Sequence, residues 1–205
     1  MNYAFAVPPG GFETGYNKNM DGQRKIIYAE DDDESIRTLC WLRIPSLVIG
    51  LGLGVVISFA VSKFEEVLSR DIRVAFFLPF IVYMADAVGT QTQTIYARDL
   101  KAGKAKFRSY LGKELSLGVI LGILFGVVSG AVVSVWIGDA RLALSVALAM
   151  LAATASAPII ALLTTEAFQL IREDPAAGSG PIATVIQDMV SVVIYGVICS
   201  AMLLH

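Results

Sequence analysis

Two carboxylates sit where a carboxylate is costly. Asp86 interrupts Val82-Tyr83-Met84-Ala85-Asp86-Ala87-Val88-Gly89-Thr90-Gln91-Thr92-Gln93-Thr94, and Asp188 interrupts Thr184-Val185-Ile186-Gln187-Asp188-Met189-Val190-Ser191. Both fall in stretches apolar enough to cross a bilayer, where an ionisable residue is by default functional and needs a protein, water or ion partner. On a helix, Thr184, Asp188, Ser191 and Tyr195, separated by four, three and four residues, share one face. Asp86, Thr90 and Gln93 make a similar stripe, with Gln91 and Thr94 facing a neighbouring direction. Carboxylates, hydroxyls and amides are hard oxygen donors, suited to Mg²⁺, Ca²⁺ or Mn²⁺ rather than to soft metals. No Lys or Arg lies within the apolar runs to neutralise the two acids, so a cation is the missing counter-charge. The competing reading is that each acid is protonated or hydrogen-bonded to Thr and Gln as glue between helices.

The segments that must position these residues are plain in the composition. Of 205 residues, 56% are hydrophobic and 17% charged, and the mean hydropathy is +0.67, which is too apolar for an ordinary soluble domain. The apolar residues gather into runs of about 20, each able to cross roughly 30 Å of hydrocarbon as a helix. They fall at Ile44–Ser62, Val74–Tyr96, Leu115–Ile137, Leu142–Phe168 and Ile182–Leu204. The period-two alternation of a membrane barrel is missing. The expectation is an all-α membrane protein, with residues 1–43 as a cytoplasmic tail and 44–205 as a five-helix transport domain in contact with the lipid bilayer.

Basic residues set the orientation, because they accumulate in short cytoplasmic loops. Twelve of the 16 Lys and Arg residues lie before the first run, between the second and third, or between the fourth and fifth; four lie on the other side. This predicts a multi-pass protein of the cell (inner) membrane with the N-terminus cytoplasmic and the C-terminus external. The tail has no apolar stretch after a basic start, so no cleavable signal peptide is expected. Its acidic run, Glu30-Asp31-Asp32-Asp33-Glu34, reads as solvated chain.

Cys40 and Cys199 are the two cysteines and fall at opposite membrane faces, so they read as packing residues without a disulfide or thiolate metal site. Gly118, Gly122, Gly126 and Gly130 recur every four residues along the third run, a smooth stripe that lets another backbone approach closely. Gly50, Gly54, Ser58 and Ser62 repeat the device in the first. Glu114 and Glu166 fall near helix ends and read as solvated charges, with a place at a cytoplasmic mouth as the alternative. His205 is terminal.

Nothing here suggests an enzyme: a nucleophile with its base or a histidine cluster is missing, and an aspartyl pair of Asp86 and Asp188 is the weakest of the readings. No phosphate-binding loop is present to power transport with ATP, and nothing points to nucleic acid. What remains is a divalent-cation channel or uniporter, with Asp188 as central ligand and Asp86, Thr90, Gln91, Thr184 and Ser191 as candidate lining groups. The alternative is a Na⁺- or H⁺-coupled divalent-cation carrier in which Asp86 takes the coupling ion.

The stretch from Pro79-Phe80-Ile81-Val82 to Gly89-Thr90-Gln91 resembles the second membrane helix of the MgtE-type magnesium transporters, relatives of a family of eukaryotic solute carriers. Asp174-Pro175-Ala176, then Ser179-Gly180-Pro181, then Thr184 and Asp188, resembles that family's fifth-helix signature. The resemblance spans roughly residues 40–205. It implies a homodimer with five helices per subunit, a pore on the dimer axis lined by the second and fifth helices, and Mg²⁺ as the ion bound and transported, with Mn²⁺, Ca²⁺ and Co²⁺ as further candidates. Asp188 matches the family's pore aspartate. Where members of the family carry Gly-Gly-Asn, this chain has Ala85-Asp86-Ala87, which exchanges an amide for an acid and leaves the ion ranking open. The family's N-terminal and CBS regulatory domains do not fit in a 43-residue tail, so a transmembrane domain alone is expected.

Overall fold

The computed structural model describes residues 16–18, 24–26, 35–170 and 180–204. Two short strands, β1 (Tyr16–Lys18) and β2 (Arg24–Ile26), pair antiparallel with Asn17 opposite Lys25. The helices follow as α1 (Ile36–Ser62), α2 (Glu65–Arg70), α3 (Arg73–Lys101), α4 (Phe107–Ile137), α5 (Ala140–Leu170) and α6 (Gly180–Leu203). All but α2 are long and apolar enough to span a membrane. The chain is a multi-pass membrane protein whose membrane domain is all-α. The acidic run Glu30 to Glu34, Arg172, the Asp174-Pro175-Ala176 and Ser179 part of the signature, and His205 lie outside the described residues.

The helices outrun the apolar stretches. α3 continues through Arg98 and Lys101, and α4 starts at Phe107, eight residues ahead of the run at Leu115. An apolar run marks the hydrocarbon, whereas backbone hydrogen bonding continues into headgroups and water, where charged side chains cost little. The basic connection thereby shrinks to residues 102–106, turning at Gly103 with φ of 68°. The segment between the first two spans, which has no apolar period, also folds as α2. Glu65 and Glu66 in its first turn and Arg70 in its last match the helix dipole, and Val67 is buried.

α5 is the hub, packing on α3, α4 and α6, while α1 leans on α6. The glycine stripe on α4 faces α5. A Cβ at Gly122 would lie 2.7 Å from Leu151 O, and one at Gly126 the same distance from Ala147 O, closer than real side chains come. On α5 the stripe meets Ala143, Ala147, Leu151, Ala155 and Pro158, largely through their backbone atoms, so the seam is built from backbone contact, as expected where water does not drive helices together. The shorter stripe on α1 differs: Gly50 makes an ordinary contact with Val185, and Gly54 faces open space. Its Ser58 instead bonds back to Gly54 O. Of the two cysteines, Cys199 packs in the core and Cys40 is exposed, and both are free thiols.

At the end where α3 begins and α4 turns into α5, Arg73 joins three segments. Its Nη2 lies 2.6 Å from Asp71 Oδ2 and 3.0 Å from Asp139 Oδ2. Asp139 also caps α5, accepting from the N–H of Arg141 at 3.0 Å and of Leu142 at 3.1 Å. The Arg73 guanidinium holds the Asp71 carboxyl below the usual carboxylate range. The Leu142 N–H does the same for Asp139 against the opposing effect of burial, and Arg73 and the Arg141 N–H add to it.

Candidate functional site

α3 and α6 pack on one another and on α5, and a narrow cleft opens where the three meet. Asp86, Gly89, Thr90 and Gln93 line it from α3; Ala157, Ile160 and Ala161 from α5; Ala183, Thr184 and Gln187 from α6. Small side chains on all three helices leave this gap between polar ones. It has room for about one water-sized occupant.

Asp86, Thr90 and Thr184, singled out from spacing, are brought together here. Asp188 follows Gln187 on α6 and is not part of the cleft wall. Both aspartates are partly exposed, and Thr90 and Gln91 are exposed. Gln91 is not in the cleft. Among the described residues no three His, Cys, Asp or Glu side chains gather as a metal cage. A cation at the cleft would meet the Asp86 carboxylate, neutral oxygens and the waters it retains, the kind of set that suits a reluctantly dehydrating ion.

The stripe expected on α6 divides. Ser191 and Tyr195 are fully buried: Ser191 Oγ accepts from Gln187 Nε2 at 3.1 Å, and the Tyr195 hydroxyl donates to Val74 O at 2.7 Å. At about 100° per residue, Asp188 and Ser191 stand at opposite edges of a stripe some 60° wide. The Ser191 edge turns into the bundle and the Asp188 edge away from it.

Two side chains at the cleft carry more than the sequence reading gave them. Gln93 belongs to the α3 stripe but was not among the expected ligands, and Gln187 was passed over beside Asp188. The signal was available, since a mid-span amide is as costly to leave without partners as a hydroxyl.

Glu114 and Glu166 are not the solvated helix-end charges expected of them. Thr92 Oγ1 donates to Glu114 Oε2 at 2.7 Å, and the Tyr96 hydroxyl donates to Glu166 Oε2 at 2.6 Å. Thr92 and Tyr96 are buried donors of α3 that need acceptors, and α4 and α5 each supply one. The Tyr96 ring also packs on Tyr110, centroids 4.9 Å apart, and the Tyr110 hydroxyl bonds Asp99. These contacts tie the basic-loop ends of three spans together.

Residues 78–198, which include α3 from its sixth residue to most of α6, match the family model MgtE, described as divalent cation transporter. The chain is 28% identical over 176 residues to the magnesium transporter MgtE of Bacillus subtilis (strain 168), covering 82% of this chain and 38% of that protein. It is 32% identical over 157 residues to the magnesium transporter MgtE of Enterococcus faecalis (strain ATCC 700802 / V583), covering 75% of this chain and 34% of that one. The chain thus spans between a third and two-fifths of the length of these relatives. The matched stretch contains both intramembrane aspartates and every residue of the cleft, and the chain belongs to the MgtE family of divalent cation transporters.

Proposed function

We propose that this chain carries Mg²⁺ across the cell (inner) membrane as a homodimer, with the pathway on the two-fold axis between the α3 and α6 faces of two copies and Asp188 as the central ligand. The observation that carries the reading is the pair of partly exposed aspartates, Asp86 beside the exposed Thr90, and Asp188, within two membrane spans. A carboxylate facing acyl chains is strongly unfavourable, so the pair calls for protein, water and a cation against it. A second copy related by a two-fold axis supplies the same pair again, bringing two Asp188 carboxylates to one ion. Asp86, Thr90 and Thr184 then line the approach, Gln91 stands at its margin, and Ser191 supports α6 through Gln187.

The donors are oxygen throughout, which favours Mg²⁺ with Mn²⁺, Ca²⁺ and Co²⁺ as competitors. Both relatives named above are magnesium transporters, which supports the choice of ion. The basic connections lie on the cytoplasmic side, with the N-terminus cytoplasmic and the C-terminus external. The test is growth at low Mg²⁺ of a bacterium lacking its own Mg²⁺ uptake. The wild-type chain is expected to restore growth, and Asp188→Asn, expressed to the same level in the membrane, is expected not to. A well-expressed wild-type chain that restores nothing contradicts the proposal.

A further inference from the structure

Gln187 is 2% exposed, wedged between α6 and α5. Its amide nitrogen is committed, donating to Ser191 Oγ at 3.1 Å and to Ala153 O at 3.4 Å. Ala153 O can only accept, which fixes the end of the amide that is nitrogen. Gln187 lines the cleft together with Asp86, Thr90 and Thr184, whereas Ala153 and Ser191, which hold its nitrogen, do not. Among the described residues, Gln187 Oε1 is the one buried side-chain atom with no hydrogen-bond partner in the protein. A buried amide oxygen is seldom left unmatched, and this one belongs to a side chain that lines, together with Asp86, a gap of about one water's size.

We infer that Gln187 is a positioning residue for the divalent cation: its Oε1 accepts a hydrogen bond from one water of the ion's retained shell, which fills the gap while the ion and its other waters stay outside it at the partly exposed Asp86 carboxylate. This rests on the cation-pathway reading above and assigns the cleft inside each chain as a station beside the Asp188 ligand. Mg²⁺ dehydrates reluctantly and keeps several waters when bound by few carboxylates. A gap for one water between a neutral acceptor and a carboxylate matches that habit: the carboxylate balances charge, and the amide oxygen orients the shell. Ser191 and Ala153, by holding the NH₂, stop the amide from flipping and presenting a donor to the ion.

The test is Mg²⁺ entry into liposomes containing the full chain, measured across Mg²⁺ concentrations for the wild type, Gln187→Met, Gln187→Glu and Asp188→Asn. Met keeps length and bulk without an acceptor oxygen; Glu keeps the oxygens and loses the NH₂. The expected result is a half-saturating Mg²⁺ concentration about tenfold higher for Gln187→Met, the loss of one ordinary hydrogen bond, with the change falling on half-saturation more than on maximal flux. Gln187→Glu is expected to half-saturate at or below the wild-type concentration. An unchanged half-saturation in Gln187→Met overturns the inference, as does a fall of maximal flux alone in both variants, in step with lost thermal stability, which would mark a purely structural amide. Should Gln187→Met fail to fold, a raised half-saturation in Gln187→Glu overturns it by itself. If Asp188→Asn abolishes flux while Gln187→Met behaves as wild type, the Gln187 inference alone falls; if Asp188→Asn transports like the wild type, the pathway reading falls and takes this inference with it.

Discussion

The α4–α5 seam gives the most quantitative prediction. A methyl at Gly122 would lie 2.7 Å from Leu151 O and 3.3 Å from Leu151 Cα, and one at Gly126 would lie 2.7 Å from Ala147 O. The atoms in the way are backbone, which cannot swing aside. Ordinary contact begins near 3.4 Å, so the helices must separate by about 0.7 Å, enough to forfeit a quarter to a half of the dispersion attraction at each contact along the seam. Overpacking of this kind costs about 1–3 kcal/mol, and in lipid no hydrophobic term offsets it. Gly54→Ala and Gly112→Ala are internal controls, because a methyl there meets nothing within 4 Å and gains up to about 1 kcal/mol in helix propensity. Gly122→Ala should therefore be less stable than these controls by about 1–3 kcal/mol. Once the seam is open, a second methyl adds little, so Gly122→Ala with Gly126→Ala should cost less than the two singles together by at least about 0.5 kcal/mol. The assay is denaturant unfolding in detergent micelles followed by far-ultraviolet circular dichroism. A Gly122→Ala chain as stable as Gly54→Ala would refute the close seam.

Other consequences lie at the two ends of the bundle. The Asp71 and Asp139 carboxyls are held below the usual range, so their contribution is present above the unfolded carboxylate pKa and is lost as the pH falls through the folded one. The melting temperature should drop between neutral pH and about pH 3, modestly because the Asp71–Arg73–Asp139 cluster is partly solvated; Asp139→Asn should shrink that drop, and a flat profile for the wild type would contradict the clamp. At the basic-loop end, Tyr96→Phe removes the donor 2.6 Å from Glu166 and should destabilise by about 1–3 kcal/mol. A double-mutant cycle with Glu166→Gln should show coupling, and strict additivity would mean that the bond carries no weight.

Much of the fold was legible because bilayer thickness and residue chemistry are independent constraints that agree. The five spans, the orientation-setting charges and the α4 stripe follow from run length, loop composition and a four-residue repeat. What escaped lies where the membrane stops speaking. The ends of α3 and α4 and the whole of α2 form in headgroups and water, where hydropathy carries no signal. At the site, Asp86 and Asp188 could be found because a charge is conspicuous at membrane depth. Ser191 shares the Asp188 stripe by periodicity, but spacing gives a stripe about 60° wide and cannot say which edge faces the bundle. That depends on how α6 rolls against α5, fixed by Gln187, Ala153 and the Tyr195 bond to Val74. Glu114 and Glu166 looked solvated because their partners, Thr92 and Tyr96, are on another helix, a pairing that only the tertiary structure makes.

The central claim is that a cation passes the face carrying Asp188. Its most direct test is the entry of Mg²⁺ into liposomes that contain the purified chain and a Mg²⁺-sensitive dye, wild type against Asp188→Asn at equal incorporation. Removing one partner of a closely held charge costs about 3–5 kcal/mol, which at about 1.4 kcal/mol per decade is a loss of at least two orders of magnitude in Mg²⁺ entry. Flux that depends on Asp188 to that extent is the predicted result. Asp188→Asn liposomes that fill as fast as the wild type would contradict the claim.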